Sequence, residues 1–237
     1  MTINSSIARV ELCYKAPLKK KCAENHRTKI KRWRAKWWKK TPNRWLILIA
    51  SIISNLRIGS VYSWSVFQKP LIDLFKWTPS ETLLTFTLIV AMMTISMTIA
   101  GMIMQQKRLK IAMAVGAVLY GTGIFLAGFS SSLNFLYLTH GVVAGLGVGT
   151  VCGCAMSNTV KWFPDKKGLA SGLIAGGLGF GTVIFSPFAS SQIGSYGAMT
   201  ALNILGAVYL VFGVGSALLI DMPPSDYKVA GWQPRQR

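Results

Sequence analysis

Arg57 is the one charge in the interior of any long apolar run of this chain. It lies about twelve residues into the first run, roughly 18 Å along a helix axis at 1.5 Å per residue. An arginine at such a depth costs roughly 2.5–3.5 kcal/mol on insertion scales, so it belongs in a bundle interior or a wet cavity. All seven acids, Glu11, Glu24, Asp73, Glu81, Asp165, Asp221 and Asp226, fall outside the run interiors. No carboxylate is therefore expected beside Arg57. An unpaired guanidinium suits an anionic ligand; the other reading is an arginine bonded to backbone carbonyls or water for structure alone. The neighbouring stretch 55–65 is rich in polar residues, and its Tyr62 and Trp64 offer hydrogen-bonding aromatic surface. They are candidates to line an anion site or, alternatively, members of an outer interfacial belt. His140, about seven residues into the fourth run, is either a packing histidine or a ligand for substrate or proton. Asn158 and Asn203 read as helix–helix glue.

The placement of the acids excludes a carboxylate proton relay, an intramembrane aspartyl dyad and a carboxylate metal site. Cys13 and Cys22 lie in a basic tail and Cys152 and Cys154 in an apolar run, with no Asp, Glu or His at metal-ligand spacing. No nucleophile–base pair or paired carboxylates appear, so an enzyme, a metal site and a cofactor are not expected.

The elements that must hold these residues are membrane spans. The chain has 237 residues, 51% hydrophobic and 14% charged, against about 25% charged in soluble domains. Spanning needs about 20 mostly apolar residues. Six stretches qualify, at about 45–67, 82–104, 110–130, 133–159, 169–191 and 198–220. The net charge of +19 resembles a nucleic-acid signal until it is mapped. Fourteen of the 26 Lys and Arg residues precede Trp45. Others fall at Lys107, Arg108 and Lys110, at Lys161, Lys166 and Lys167, and at Lys228, Arg235 and Arg237. Between the first two spans there are only Lys69 and Lys76, and the 3–4 and 5–6 turns have none. Positive charge marks the cytoplasmic side, so both termini are expected there, in a multi-pass protein of the inner (plasma) membrane. The domains predicted are a basic tail over 1–44, a six-helix transmembrane domain over 45–220 and a loop beginning at 221–237. Within the tail, residues 29–40 alternate bases with tryptophan, and Ile30, Trp33 and Trp37 share one helical face. This suits an amphipathic helix on anionic lipid; a solvated tail is the alternative, and nucleic acid is not the expected partner.

Gly141, Gly145 and Gly149 recur every four residues, and Gly172 and Gly176 repeat the spacing. Lipid gives no hydrophobic drive for helix association, so small residues permit the close approach that packing requires. These glycines lie in apolar spans with no preceding strand, which excludes a phosphate-cradling loop. Pro187 is expected to kink the fifth span. Between spans four and five, Lys161-Trp-Phe-Pro-Asp165-Lys166-Lys167-Gly168-Leu-Ala-Ser-Gly172 forms a short charged turn, a candidate hinge and charge clamp.

That turn, with Gly59-Ser-Val-Tyr-Ser-Trp-Ser-Val-Phe67, Leu136-Tyr137, the Gly141/Gly145/Gly147/Gly149 run, Gly177-Leu-Gly-Phe-Gly181, Pro187 and Pro223-Pro224 with Tyr227, Gly231 and Trp232, resembles the oxalate/formate antiporter family of the major facilitator superfamily. The resemblance covers about 43–234 and extends more loosely to the monocarboxylate transporters. It implies an all-α membrane fold, here one six-helix half of a two-half bundle. It also implies secondary transport of a small carboxylate such as oxalate, formate, lactate or pyruvate by alternating access. The expected partner is a second six-helix half or a second copy; the alternative is a truncated or split-gene fragment acting as a non-transporting assembly subunit. Two positions depart from the family pattern. The 2–3 turn, Met104-Gln-Gln-Lys-Arg-Leu-Lys110, lacks the expected acid and glycine, and Arg57 stands where the family has a small or apolar residue.

Overall fold

A computed structural model of the chain describes residues 43–105, 109–224 and 227. The tail with the expected helix over 29–40, and Lys107, Arg108, Lys228, Arg235 and Arg237, lie outside the described residues. The unit beginning at Arg44 contains six helices long and apolar enough to cross a membrane, and no strand appears among the described residues.

Span 1 is built in three pieces, an α-helix Arg44–Ile58, a 3₁₀ turn Gly59–Ser63 and an α-helix Trp64–Phe75. It runs eight residues beyond the expected end at Phe67 and contains Pro70. The polar run 55–65 is thus a change of helical pitch inside one span rather than the end of it. Lys76 stops the helix in the left-handed region, φ 57°, with its N–H bonded to Ile72 O at 2.9 Å, as C-terminal caps do. Span 2, Pro79–Gln105, starts three residues later in a capping box. Glu81 Oε2 accepts from the Thr78 N–H at 2.8 Å, and the Glu81 N–H donates to Thr78 Oγ1. Pro79 occupies the first helical position, where its missing N–H costs nothing.

Span 3 is Leu109–Ala127. Span 4 runs from Leu133 to Trp162 and is α-helical except for a π-helical segment, Tyr137–Ala144. Span 5, Lys167–Tyr196, remains helical through Pro187. A single residue, Gly197 at φ 81°, separates it from span 6, Ala198–Leu219; only glycine takes that conformation without strain.

The apolar stretches of spans 1 and 4 are 61% buried and those of spans 2 and 5 only 22%. Spans 1 and 4 are therefore inner helices, and 2 and 5 present open faces. Close glycine approaches set the pairing. A Cβ on Gly59 would strike the Leu178 carbonyl, and one on Gly181 the Leu56 carbonyl, so spans 1 and 5 cross almost backbone to backbone. Gly141, Gly145 and Gly149 press span 4 against Leu88, Ile89, Met92 and Met93 of span 2, and Gly147 presses it against Gly116 and Tyr120 of span 3. Gly206 of span 6 meets Phe125 of span 3. Gly172 and Gly176 differ: no described atom lies within 4 Å of a Cβ built on either. Inside this unit they pack against nothing described, because their side of span 5 faces away from the other five spans.

Candidate functional site: an arginine-lined cavity and a charged end of the bundle

Arg57 lies one residue before the 3₁₀ turn and points into the bundle, with 4% of its surface exposed. Nη1 donates to the Tyr209 carbonyl of span 6 at 2.9 Å, and the guanidinium sits 5.2 Å from the ring centroid of Tyr120 in span 3. Gly213 makes room for it, since a Cβ there would lie 2.9 Å from Arg57 Cζ. Nε and Nη2 have no hydrogen-bond partner among the described residues, and Arg57 is in neither of the two described ion pairs. Burying a guanidinium with two donors unmatched is costly.

A cavity of about 260 Å³ adjoins it, lined by Arg57 with Ile53, Ser54, Leu56, Phe185, Val208, Tyr209, Phe212 and Ser216. The two serine hydroxyls on this wall have committed their protons: Ser54 Oγ donates to Ala50 O and Ser216 Oγ to Gly213 O, each at 2.9 Å. Arg57 is the wall's one cation.

Trp64 and His140 meet in a second, water-sized cavity of about 20 Å³, shared with Ser60, Ser63, Tyr120 and Tyr209. Their rings stack at 4.4 Å, Trp64 Nε1 donates to Thr82 O at 3.1 Å, and both ring nitrogens of His140 lack a partner among the described residues. Trp64 is buried and so is no member of an interfacial belt. His140 stands in the π-helical segment of span 4, a distortion common at functional sites. Ser60 Oγ donates to Arg57 O at 2.8 Å and lies 2.7 Å from Tyr120 Oη; its one proton being spent, the tyrosine is the donor. Tyr120 in turn stacks on Tyr209 with ring centroids 5.5 Å apart. These aromatics link the two cavities. Tyr62 stands apart: it is 42% exposed, lines neither cavity and packs edge-on against Phe86.

At the end of the bundle that holds the charged turns, contacts are dense. Asp165 of the 4–5 turn pairs with Arg44 at the start of span 1 at 3.3 Å, rather than with its neighbours Lys166 and Lys167. Lys161, Lys166, Lys167 and Gly168 are exposed. Arg44 also lies over the Phe163 ring at 5.2 Å. Asp221, just past span 6, binds Lys110 through its carboxylate at 3.0 Å. Its carbonyl accepts from Trp162 Nε1 at 2.8 Å and Asn158 Nδ2 at 3.1 Å. One residue thus joins the 2–3 side, span 4 and the end of span 6. Sequence reasoning singled out Arg57, His140 and Asp165. It missed Tyr120, Tyr209, Gly213, Arg44 and Asp221, whose proximity arises only when distant spans pack.

Comparison with known proteins places this arrangement. The model of the Major Facilitator Superfamily matches residues 38–236, and the chain belongs to that superfamily of membrane transporters. It is 34% identical to an uncharacterized MFS-type transporter of Escherichia coli over 79% of this chain and 47% of the relative. It is 31% identical to the oxalate:formate antiporter of Oxalobacter formigenes over 76% of this chain and 43% of the antiporter. It is 32% identical to monocarboxylate transporter 2 of Rattus norvegicus over 76% of this chain and 37% of that protein. The matches span about half the length of these relatives, or less.

Proposed function

We propose that the chain serves as one six-helix half of a secondary transporter for a small carboxylate, moved by alternating access between two halves. The observation that carries this reading is Arg57: a buried guanidinium with two unmatched donors, beside a cavity, in a bundle whose relatives include named carboxylate transporters. A guanidinium presents a planar fork that suits a carboxylate. Trp64 and His140 support the site from the adjoining cavity; Tyr62 lines neither cavity of this half.

The open faces of spans 2 and 5 are where a second six-helix half would seat. Thr87, Ala91, Thr94 and Thr98 form an exposed small-residue stripe on span 2, while Gly168, Gly172, Gly176 and Gly179 leave open space on span 5. The Asp165–Arg44 and Asp221–Lys110 pairs would hold this half together at its cytoplasmic end while it rocks. In this reading both termini lie on that side and the basic tail meets the anionic lipid of the plasma membrane, as the charge alternation supports.

The test is uptake of labelled oxalate, formate, lactate and pyruvate by proteoliposomes, with the chain alone and with a co-expressed second half. Flux lost in Arg57→Ala supports the reading; no flux in either form sinks it. The missing acid of the 2–3 turn favours a second reading, a non-transporting assembly subunit. Co-purification with a membrane partner in the absence of flux would support that one.

A further inference from the structure

We infer that a groove along span 1, between spans 5 and 6, seats one acyl chain of an anionic phospholipid whose headgroup lies at Lys166 and Lys167. The inference does not rest on the transport reading, and it asks nothing of the Arg57 donors.

Span 1 has two contact faces with a bare strip between them. Ile52 and Leu56 meet Gly177 and Gly181 of span 5, and Arg57 reaches Tyr209 of span 6. At about 100° per residue, Ile53 falls between those faces. Leu46 and Ile49 lie on the same side, and all three are exposed. Spans 5 and 6 flank this strip as a wedge. They are joined by Gly197 alone and touch where the Phe185 ring meets Tyr209 edge-on at 5.4 Å. Toward the charged end they part and leave the strip uncovered. Phe212, Gly215 and Leu219 share one face of span 6 beside it and are exposed as well.

Shape and charge together name the occupant. A helix is about 10 Å across with its side chains and would have to part spans 5 and 6 along their whole length, which the one-residue connection at Gly197 forbids. A single acyl chain enters such a wedge from its open end. From Arg44 to Ile53 span 1 rises about 14 Å, close to the hydrocarbon depth of one leaflet, about 15 Å. At the open end Lys166 and Lys167 begin span 5 and are exposed. The neighbouring acid, Asp165, is taken by Arg44, and neither lysine is in a described ion pair. Two bare lysines beside a hydrocarbon slot suit a lipid phosphate, each worth about fivefold in binding. Seated there, the chain lies against Ile53 and Phe212 and forms the outer wall of the cavity beside Arg57.

The full-length chain, purified in detergent and stripped of lipid, is titrated with three lipids, and the adducts are read by native mass spectrometry. The lipids are palmitoyl-oleoyl phosphatidylglycerol, the matching phosphatidylcholine and dihexanoyl phosphatidylglycerol. The long-chain phosphatidylglycerol is expected to bind at least tenfold more tightly than either of the others. Lys166→Gln with Lys167→Gln is expected to cost it at least tenfold. Lys69→Gln with Lys76→Gln, which removes the same charge beyond the other end of the groove, should leave it unchanged. Gly215→Leu fills the groove from a position whose Cβ meets no described atom within 4 Å, so folding tolerates it. It is expected to weaken the long-chain lipid at least fivefold. Gly172→Leu also meets open space, about 140° around span 5 from Gly177, and should have no effect. Phosphatidylcholine binding as tightly overturns the headgroup site. Dihexanoyl phosphatidylglycerol binding as tightly leaves only a surface ion contact and overturns the groove. Equal losses in the two lysine pairs, or in Gly215→Leu and Gly172→Leu, would mean lipid spread over the whole surface and overturn the site.

Discussion

Arg57 is held by geometry that leaves little slack. Its Nη1 is bonded to Tyr209 O, its face lies over Tyr120, and Gly213 leaves the space it fills. Gly213→Ala would place a methyl 2.9 Å from Cζ and 3.0 Å from Ala117 Cβ. The expected cost is about 1–3 kcal/mol, the usual range for overpacking, read from denaturant unfolding in detergent. In an Arg57→Ala background the cost should shrink by at least about 0.5 kcal/mol, because the clash partner is gone. Strictly additive losses would show that Gly213 does not serve the guanidinium. Arg57 was legible from sequence because one charge in a long apolar run is conspicuous. Tyr120 and Tyr209 were not, since nothing in their spacing ties them to residue 57.

Among the elements, the glycines divide by what faces them. Gly59→Ala and Gly181→Ala push a methyl into a carbonyl of the crossing helix and should force spans 1 and 5 apart, lowering the melting temperature of the purified chain by several degrees. Gly172→Ala and Gly176→Ala meet open space and should leave it unchanged or slightly raised, since alanine favours helix over glycine. Equal losses at all four would refute this division. Gly177 and Gly181 keep the same four-residue spacing as Gly172 and Gly176 yet meet Ile52 and Leu56 of span 1, so sequence could not separate them; only the side of span 5 that meets span 1 does. A similar contrast applies at the charged end. Asp221→Asn removes a half-exposed ion pair with Lys110, worth about 0–1 kcal/mol. Trp162→Phe removes one of the two donors to the Asp221 carbonyl, leaving Asn158 Nδ2, and empties volume at a buried position, and should cost about 1–3 kcal/mol. A larger effect from Asp221→Asn in the same unfolding assay would reverse the assignment, making the ion pair the tie.

At the scale of the molecule, the start of span 1, Lys110, the 4–5 turn and the end of span 6 converge at one end through the Asp165 and Asp221 contacts. That convergence agrees with the alternation of positive connections, and the orientation it implies can be read by labelling. With Cys13 and Cys22 replaced by serine, Ser131→Cys in the 3–4 turn should react with an impermeant maleimide on intact cells. Lys166→Cys in the 4–5 turn should react only after permeabilisation. Labelling of both from the same side would overturn the six-span topology, and the reverse pattern would overturn the orientation.

Hydropathy, charge alternation and one short turn motif were enough to place six spans, the superfamily and a lone intramembrane cation. Each of these is written in the local chemistry of a segment: apolar length must match the bilayer, and a charge must find a reason to be in it. Boundaries were less legible. Span 1 runs to Phe75 because the 3₁₀ turn continues rather than ends the helix, and a closing segment with Pro70 in its middle does not look helical in sequence. What surrounds Arg57 was decided by packing alone. Tyr209 and Gly213 lie more than 150 positions away and reach it only because spans 1, 3 and 6 close on one another. The same packing turns Trp64 inward onto His140, leaves Tyr62 outside, and gives Asp165 a partner in Arg44 that no local spacing could indicate.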